Sequence, residues 1–467
     1  MMNIQRPEIV RERSFEVILT KFTDFGLNPS ILTAISEQGY ETPTPIQARA
    51  IPAVMKGHDL IGLAQTGTGK TAAFVLPLVH QLLAENKQAP GRSCRALILA
   101  PTRELAAQIE EQVKAYTAHT KLTSTVVFGG VKAGPQIKAL ARGVDILVAT
   151  PGRLLDHLGE RKARLDLTRF VILDEADQML DLGFIPAIRK LLRMVGEERQ
   201  TLMFSATMAP AIRQLADDFL DHPETVAVTP PSKPVERIDQ KVFYTEASAK
   251  PDALIDLMAP EAGKRAIIFT RTKYGADRVA KRLVKYGHKA NAIHGDKSQN
   301  QRTRALDAFK SGEAPVLVAT DIAARGIDVD GVDLVVNYEL PNVAENYVHR
   351  IGRTARAGAS GRAVALCAPD ERVMLKDIEK TMGVTIQGLN DAPPMPKGEA
   401  AKSKRRRRGG RRGQGQGQGD GGGQAQASAP RSGEGSKGGP RGGKPQRHRR
   451  GGGGGGQRRS GAPRAAE

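Results

Sequence analysis

Short apolar runs that recur between longer amphipathic stretches constrain the fold of this chain more than any other feature. The first half of the chain holds five of them, LIGLA (60–64), ALILA (96–100), DILVAT (145–150), FVILD (170–174) and TLMFSAT (201–207). Four more follow, RAIIFT (265–270), KANAIH (289–294), VLVATD (316–321) and LVVNYE (334–339). Runs of this length that are apolar on both faces are typical of parallel strands covered by helices on each side. Their alternation with amphipathic stretches predicts an α/β fold with parallel sheets and right-handed crossovers.

The boundary between the two series of runs is the segment TPPSKPVE (229–236), which contains three prolines. Proline fixes φ and removes a backbone donor, so this segment is predicted to be a short, stiff linker. We therefore predict an N-terminal extension over residues 1–20, a first domain over 21–228 and a second domain over 237–390. The periodic pattern is then lost, and residues 391–467 are predicted to form a tail.

Most of the positive charge of the chain belongs to that tail. From Lys397 to the end there are 19 Lys and Arg against 4 Asp and Glu, so this segment carries +15 of the formal net charge of +20. It also holds 23 of the 50 glycines and no Phe, Tyr or Trp. Such a composition cannot bury enough apolar surface to offset the chain entropy, and we expect the tail to be disordered.

Cysteine usage and hydropathy exclude several classes of protein. The two cysteines, Cys94 and Cys367, show no spacing typical of a disulfide or a metal site, which indicates a reducing compartment. No stretch reaches the roughly 18 continuous apolar residues of a membrane span, and the N-terminus lacks the apolar core of a signal peptide. We therefore expect a soluble cytoplasmic protein with no membrane partner.

The stretch AQTGTGKT (64–71) has the context of a phosphate-binding loop, because it follows an apolar run and precedes a helix-like segment. Its glycines allow backbone N–H groups to wrap the phosphates of a nucleotide. Lys70 would place its charge on the β- and γ-phosphates, and the Thr71 hydroxyl could ligate Mg²⁺. Ala64 stands where the strict pattern has glycine. The candidate nucleotide-binding residues of the loop are Thr66, Gly67, Thr68, Gly69, Lys70 and Thr71.

The apolar run FVILD ends in an acidic residue, and further acidic residues follow it. Proteins with parallel sheets bind their ligands at the carboxyl ends of the strands, which is where these acids are expected. Mg²⁺ on a nucleotide needs a carboxylate beside the phosphate loop, so Asp174 is a candidate catalytic residue and, with Thr71, a candidate metal ligand. Glu175 could orient and deprotonate the attacking water. Alone, this pattern would more often be a helix N-cap, but the phosphate loop favours nucleotide hydrolysis. The N-K-x-D run of GTPases and the LSGGQ-type signature of transporters are absent from the sequence.

With AQTGTGKT, DEAD (174–177) and SAT (205–207) in this order, the chain resembles the DEAD-box RNA helicases over about residues 22 to 383. The resemblance implies two RecA-like domains joined by a short linker, and RNA-stimulated hydrolysis of ATP with Mg²⁺. It also implies local separation of RNA strands without long translocation. The segments AIHGDKSQNQRTRALDAFKSG, VVNYELPN and VVFGGV are similar to the bacterial RhlE-like branch of the family.

The resemblance assigns further nucleotide contacts and a coupling network. YETPTPIQ (40–47) resembles the adenine-sensing motif of the family, in which Gln47 would read the adenine edge and Phe22 would stack on the ring. Asp328 resembles the residue that contacts the ribose. These contacts add Phe22, Thr42, Gln47 and Asp328 to the nucleotide-binding candidates. The residues that resemble the network coupling the ATP site to RNA are Asp177, Ser205, Thr207 and His349.

RNA contacts are implied by PTREL (101–105), a glycine pair, and TPGRL (150–154) in the first domain, and by several motifs of the second. Carried over residue by residue, the RNA-binding candidates are Pro101, Thr102, Arg103, Gly129, Gly130, Thr150, Gly152, Arg153, Arg271, Gly295, Gln299, Arg302, Thr320 and Asp321. Few of these are suited to base stacking, and the chain has no Trp. We therefore expect sequence-tolerant binding of phosphate and sugar. Discrimination against DNA through the 2′-hydroxyl follows from the resemblance.

The segment HRIGRTAR (349–356) carries three arginines at i, i+3 and i+6, which alone would suit a solvated basic helix face. In a second domain that faces a phosphate loop, Arg353 and Arg356 would instead neutralise charge on the γ-phosphoryl, an effect worth roughly 10³–10⁵ in rate. Ala355 stands where the family usually has Gly. Because alanine is small, we expect little effect.

These observations predict an ATP-dependent RNA helicase that remodels RNA–protein complexes and whose folded core is monomeric. A double-stranded DNA translocase and an RNA clamp or annealing protein that uses ATP only as a switch are the alternatives. The basic tail is either a solubilising or nuclear-targeting charge run or, as we expect on a helicase, a non-specific RNA tether. Ribosome precursors and a ribonuclease complex are open as further partners.

Overall fold

The computed structural model describes residues 21–65, 67–228, 238–324, 329, 331–355 and 360–391. The predicted N-terminal extension, the predicted linker and all of the predicted tail except Asp391 lie outside the described residues. The described part of the chain forms two parallel sheets covered by helices. This confirms the predicted fold class.

The first sheet has seven parallel strands in the order β3-β4-β2-β5-β6-β1-β7. They are β1 Leu60–Leu63, β2 Cys94–Leu99, β3 Ser124–Val127, β4 Val144–Ala149, β5 Phe170–Leu173, β6 Gln200–Ser205 and β7 Glu224–Ala227. All five apolar runs that the sequence analysis identified in this half are strands. The two that it missed, β3 and β7, are short, partly exposed edge strands without a continuous apolar run.

The second sheet has the order β10-β11-β9-β12-β13-β8-β14, which is the same topology with every strand number raised by seven. Its strands are β8 Ile238–Tyr244, β9 Ala266–Thr270, β10 Ala290–Ile293, β11 Val316–Thr320, β12 Leu334–Asn337, β13 Gly361–Cys367 and β14 Gln387–Gly388. The strands β8, β13 and β14 were not predicted from the sequence. Of these, β8 has polar residues between its apolar ones, and β14 has only two residues.

Helices follow nearly every strand and cover both sheets. Those of the first domain are α1 Pro29–Glu37, α2 Pro45–Met55, α3 Lys70–Glu85, α4 Arg103–Tyr116, α5 Ala133–Ala141, α6 Pro151–Gly159, α7 Ala176–Asp181, α8 Ile185–Leu192 and α9 Pro210–Phe219. Those of the second are α10 Lys250–Met258, α11 Lys273–Lys285, α12 Gln299–Lys310, α13 Asp321–Ala324, α14 Ala344–Ile351 and α15 Arg372–Met382. Short 3₁₀ helices occupy Phe22–Phe25, Ala259–Glu261 and Pro369–Glu371.

Alternate residues of each central strand enter different cores. Ile98 of β2 packs with α3 and α4 on one face of the first sheet, whereas Leu97 and Leu99 pack with α8 and α9 on the other. Because both faces are covered, the central strands are mostly apolar, which explains the continuous apolar runs in the sequence. The second sheet has two cores of the same kind.

Cys94 and Cys367 are buried free thiols in different sheets, at β2 and β13. Burial raises the pKa of both thiols to about 12, so neither is a reactive thiolate near neutral pH. Among the helices of the described residues, none combines the length and the apolar character needed to cross a membrane.

We predict that Gly62→Ala destabilises the first domain by about 1–3 kcal/mol, because an added Cβ overpacks the core. A Cβ at this position would lie 2.5 Å from ring atoms of Phe204 on the neighbouring strand. Urea unfolding measures the effect. The control is Gly159→Ala in α6, where a Cβ would have no neighbour within 4 Å and should be neutral or stabilising by up to about 1 kcal/mol. An unfolding midpoint of Gly62→Ala equal to that of the wild type would contradict the prediction.

Candidate nucleotide and nucleic-acid site

The phosphate loop connects β1 to α3 and requires glycine at two positions. Gly67 and Gly69 have left-handed φ values of +81° and +88°. A Cβ on Gly69 would also lie 2.4 Å from the side-chain nitrogen of Gln47. The loop is fixed from outside by α2 and the residue before it, since Thr44 Oγ1 donates to the Thr68 carbonyl over 2.8 Å. Thr66 lies outside the described residues, and Thr71 is the second residue of α3.

Lys70 begins α3 and turns its side chain into the protein, where it is 6% exposed. Its ammonium lies 4.0 Å from Asp174 Oδ1 and makes no hydrogen bond with any described residue. A buried ammonium without a hydrogen-bond acceptor is costly. The site therefore has an unused positive charge beside a glycine loop, which fits the phosphates of a nucleotide.

Asp174 follows β5 and is almost fully buried at the carboxyl end of the sheet. Burial raises the pKa of its carboxyl to about 7, although the ammonium of Lys70 opposes the shift and the charge of Glu175 adds to it. A cation bound nearby would favour the ionised carboxylate. Asp174 thus places a buried carboxyl group with a raised pKa beside the ammonium of Lys70 and the glycine loop.

Glu175 has a left-handed backbone with φ +53°, which is unusual for a residue other than glycine. Its side chain is 3% exposed. The left-handed residue turns the chain sharply between β5 and α7. Backbone strain of this kind costs about 1–3 kcal/mol and is concentrated at functional sites.

Asp177 ties α7 to the end of β6. One of its carboxylate oxygens accepts hydrogen bonds from the backbone N–H groups of Ala206 and Thr207, both over 3.0 Å, and from the Thr207 hydroxyl over 3.3 Å. The Ser205 hydroxyl donates to the Thr207 carbonyl. The structure thus brings three of the four predicted coupling residues together, and the fourth, His349, lies on α14 of the second domain.

A cavity of about 410 Å³ opens beside the phosphate loop, and Tyr40, Thr42, Thr44 and Gln47 line it together with loop glycines. Gln47 accepts a hydrogen bond from Thr44 N over 2.8 Å and donates one to the Gly69 carbonyl over 3.0 Å. The side chain predicted to read adenine therefore also holds the loop in place.

Phe22 is 3% exposed, and its ring stacks against Tyr40 with the centroids 6.2 Å apart. Tyr40, not Phe22, borders the cavity. The Tyr40 hydroxyl in turn hydrogen-bonds that of Tyr116, the last residue of α4, over 3.0 Å. Sequence reasoning missed the role of Tyr40, although this residue begins the quoted motif YETPTPIQ. Stacking of Phe22 itself on a base stays a prediction.

The RNA-binding candidates of the first domain follow three adjacent strands, β2, β3 and β4. Pro101 follows β2, and Thr102 caps α4 by accepting a hydrogen bond from Leu105 N. Thr150 is the N-cap residue of α6, which contains Gly152. The carboxyl ends of these strands thus collect side-chain hydroxyls, backbone donors and arginines at one edge.

The glycine pair after β3 leaves the space that the Arg103 side chain occupies. A Cβ on Gly130 would lie 2.0 Å from a guanidinium nitrogen of Arg103, and Gly130 has a left-handed φ of +78°. Arg153 of α6 donates to the Val131 carbonyl over 3.1 Å. Both arginines are therefore held beside the Gly129–Gly130 loop.

In the second domain Arg271 and Gly295 follow β9 and β10, and Thr320 ends β11, which lies between these two strands. Arg271 pairs with Glu371 over 3.3 Å. Asp321, which follows Thr320, holds the buried Arg350 in a bidentate ion pair with N–O distances of 2.5 and 2.8 Å. The Asp321 carboxylate thus positions Arg350, and a contact of Asp321 with RNA stays a prediction.

Gln299 and Arg302 of α12 both donate to the carboxylate of Glu104 in the first domain, over 3.0 and 2.7 Å. Their side chains are thus used in a contact between the two domains. Sequence reasoning missed Glu104, which lies within PTREL, and Arg350, the first arginine of HRIGRTAR. Neither role has a signal in the sequence, because each depends on a partner far along the chain.

Arg353 is 5% exposed and donates to the His349 carbonyl, and both residues line a small cavity with Asp321 and Arg350. Asp328 and Arg356 lie outside the described residues. Ala355 has a left-handed φ of +56°. This conformation costs an L-residue roughly 1–2 kcal/mol, so alanine is not neutral at a position where glycine would be relaxed.

Comparisons with known proteins agree with this geometry. A family model described as DEAD/DEAH box helicase matches residues 44–215, and one described as helicase conserved C-terminal domain matches residues 249–358. The chain is 43% identical to the ATP-dependent RNA helicase CshA of Listeria monocytogenes over 79% of this chain and 70% of the relative. It is 40% identical to the DEAD-box ATP-dependent RNA helicase RhpA of Helicobacter pylori over 78% and 73%.

Among solved structures, the chain is similar to S. cerevisiae Dbp5 bound to RNA and ADP BeF3, with 31% identity and a TM-score of 0.69. That match covers 83% of this chain and 99% of the other. The two sheets are thus those of two RecA-like domains. The similarity to the RhlE-like branch stays a prediction.

We predict that Asp177→Asn lowers the free energy of unfolding by about 1.5–3 kcal/mol, the range for hydrogen bonds to a charged group. An amide has one acceptor oxygen where the carboxylate has two, so it cannot keep both the three hydrogen bonds at the end of β6 and the one from Gln178 N, and it also loses the negative charge. Chemical denaturation at neutral pH provides the measurement. Asp217→Asn on the exposed face of α9 is the matched control and should change stability by less than about 0.5 kcal/mol. Equal losses in both variants would contradict the prediction.

Proposed function

Because the chain belongs to the DEAD-box family of ATP-dependent RNA helicases, we propose that it couples RNA-stimulated ATP hydrolysis to local opening of short RNA duplexes and remodelling of RNA–protein complexes. The observation that carries the proposal is the buried ammonium of Lys70, which has no hydrogen-bond acceptor among the described residues and lies 4.0 Å from Asp174 beside the glycine loop. Phosphates bound in the loop would supply the missing acceptors.

ATP fits the residues around the loop. The adenine would enter the cavity lined by Tyr40, Thr42 and Gln47, and the phosphates would reach Lys70. Thr71 and Asp174 would hold Mg²⁺, since a hydroxyl and a carboxylate are oxygen ligands that this ion accepts. The ion would neutralise part of the charge that develops on the phosphates during transfer. With its charge matched by the ion, Asp174 would be ionised in spite of its raised pKa.

Glu175 is the residue we assign as general base. It follows Asp174 at the same strand end, where its left-handed backbone turns the chain into α7. Arg353 and Arg356 of the second domain would stabilise the charge on the γ-phosphoryl. The first domain would thus supply metal and base, and the second domain would supply the guanidinium groups.

RNA would bind across the carboxyl ends of the strands of both domains. The candidates there offer hydroxyls, backbone N–H groups and arginines, which contact phosphate and sugar and carry no sequence information. If ATP and RNA both bridge the domains, each must strengthen the binding of the other by the same factor. The contact from Glu104 to Gln299 and Arg302 supports a closed arrangement, because it joins an RNA-binding segment of each domain.

An ATPase assay without nucleic acid, with RNA and with DNA distinguishes this proposal from its alternatives. We expect RNA to stimulate hydrolysis at least tenfold and DNA of the same sequence to have little effect. Stimulation by duplex DNA would instead support a DNA translocase. RNA-stimulated hydrolysis without separation of a short labelled duplex would support a clamp that uses ATP only as a switch.

We predict that Glu175→Gln retains ATP and RNA binding while its turnover falls by at least about 10²-fold, the lower range for general base catalysis. Single-turnover hydrolysis and fluorescence binding measure the two effects separately. The control is Glu198→Gln, since the Glu198 side chain is 90% exposed. Turnover of Glu175→Gln at the wild-type rate would remove Glu175 as the base.

For Lys70→Ala we expect weaker nucleotide binding itself, because the side chain that would contact the phosphates is removed. Titration with a fluorescent ATP analogue, in the absence of RNA, measures the dissociation constant. The exposed Lys190→Ala in α8 serves as the matched control and should bind like the wild type. Unchanged affinity of Lys70→Ala would exclude Lys70 from the phosphate site.

A further inference from the structure

The helix α11 of the second domain is strongly basic. Its sequence KYGADRVAKRLVK contains five basic residues and one acid. Two of the cations have acidic partners outside the helix, since Lys273 pairs with Asp296 over 2.7 Å and Arg282 pairs with Asp252. The remaining three are available for a partner outside this domain.

Those three cations, Arg278, Lys281 and Lys285, are exposed and form no ion pair with any described residue. Their spacing of i, i+3 and i+7 places them on one face of the helix, and Tyr274 begins the same face four residues earlier. Tyr274 is 71% exposed. We name these four residues the α11 basic face.

The acid of the helix does not neutralise this face. The Asp277 carboxylate is engaged by Lys297 over 2.8 Å and by His294 over 3.1 Å. Burial raises the pKa of the Asp277 carboxyl, but hydrogen bonds from Lys297 and His294 hold it below its usual value. The face therefore presents three uncompensated positive charges and one aromatic ring to solvent.

The position of α11 connects this face to the edge proposed for RNA. The helix begins two residues after Arg271, at the carboxyl end of β9, and its 13 residues span roughly 20 Å at 1.5 Å per residue. The α11 basic face therefore starts near the strand ends and leads away from them along the outside of the second domain.

We propose that the α11 basic face binds the phosphate backbone of RNA that extends beyond the segment held at the strand ends. The proposal rests on the proposed function, which places RNA at Arg271. Cations in a row match the regular charges of a phosphate backbone, and an exposed Tyr ring at the near end offers a surface for a base. The face would thus anchor the RNA next to the duplex that is opened.

The test compares two variants of the full chain that each lose three exposed charges of the second domain. The first is the triple variant R278Q/K281Q/K285Q. The control is K310Q/K376Q/K380Q, whose lysines are exposed on α12 and α15. Binding of oligouridines of about 8 and about 20 nucleotides is measured over a series of salt concentrations, because the number of phosphate contacts determines the salt dependence. The shorter RNA is meant to occupy only the strand ends, and the longer one to reach the α11 basic face as well.

We expect the first variant to bind the longer RNA with a salt dependence whose logarithmic slope is smaller by about 2, since each lost phosphate contact removes about 0.7 on a single strand. Its binding to the shorter RNA and the ATPase rate stimulated by that RNA should equal those of the control. This pattern would show that the lost charges act only on the extended RNA.

Equal salt-dependence slopes for both variants on the longer RNA would overturn the proposal. The proposed function would still stand in that case if RNA stimulated the ATPase activity of the wild type. If the first variant keeps its RNA binding but no longer binds polyglutamate, the face belongs to an acidic protein and the proposal is also overturned. A wild-type protein that neither binds RNA nor shows RNA-stimulated ATPase would overturn the proposed function first.

Discussion

The pairing of Lys70 with Asp174 is the interaction on which the rest of the site depends. Both side chains are buried, and 4.0 Å separates the ammonium from the nearest carboxylate oxygen. Each charge makes the burial of the other tolerable, since a buried ion without its partner costs about 3–5 kcal/mol. The ammonium does not fully compensate the cost of burying the carboxylate, because the pKa of Asp174 is raised to about 7 in spite of it. Under the proposed function, phosphates beside Lys70 and a cation beside Asp174 would stabilise both charges further.

The second domain has the same topology, but the lysine at the corresponding position is hydrogen-bonded within the domain. The strand β8 takes the place of β1, and the lysine that begins the following helix is Lys250, as Lys70 begins α3. The ammonium of Lys250 donates to the carboxylate of Glu371 and, over 2.8 Å, to the Tyr338 carbonyl. The connection from β8 to α10 also has no glycine. The two domains thus share one topology but differ in whether the ammonium of this lysine has hydrogen-bond acceptors among the described residues.

Much of the fold could be predicted because a strand buried on both faces is mostly apolar. All nine runs that were identified are strands, and the motifs at their carboxyl ends lie together because parallel strands share one edge. The strands that were missed lack this signal in most cases. The edge strands β3 and β7 are half exposed, and β8 carries polar residues, so local composition does not distinguish them from loops.

The sequence by itself determined the fold class, the phosphate loop and the family, because glycines, a lysine and acids at fixed spacings carry that chemistry wherever the chain places them. Only the tertiary structure decided which side chains are already engaged. It showed that Asp321 holds Arg350, that Glu104 receives Gln299 and Arg302, and that Tyr40 borders the cavity in front of Phe22. The reason is physical: a hydrogen bond or an ion pair depends on distance in space, and partners 29 to 198 residues apart leave no mark on local sequence.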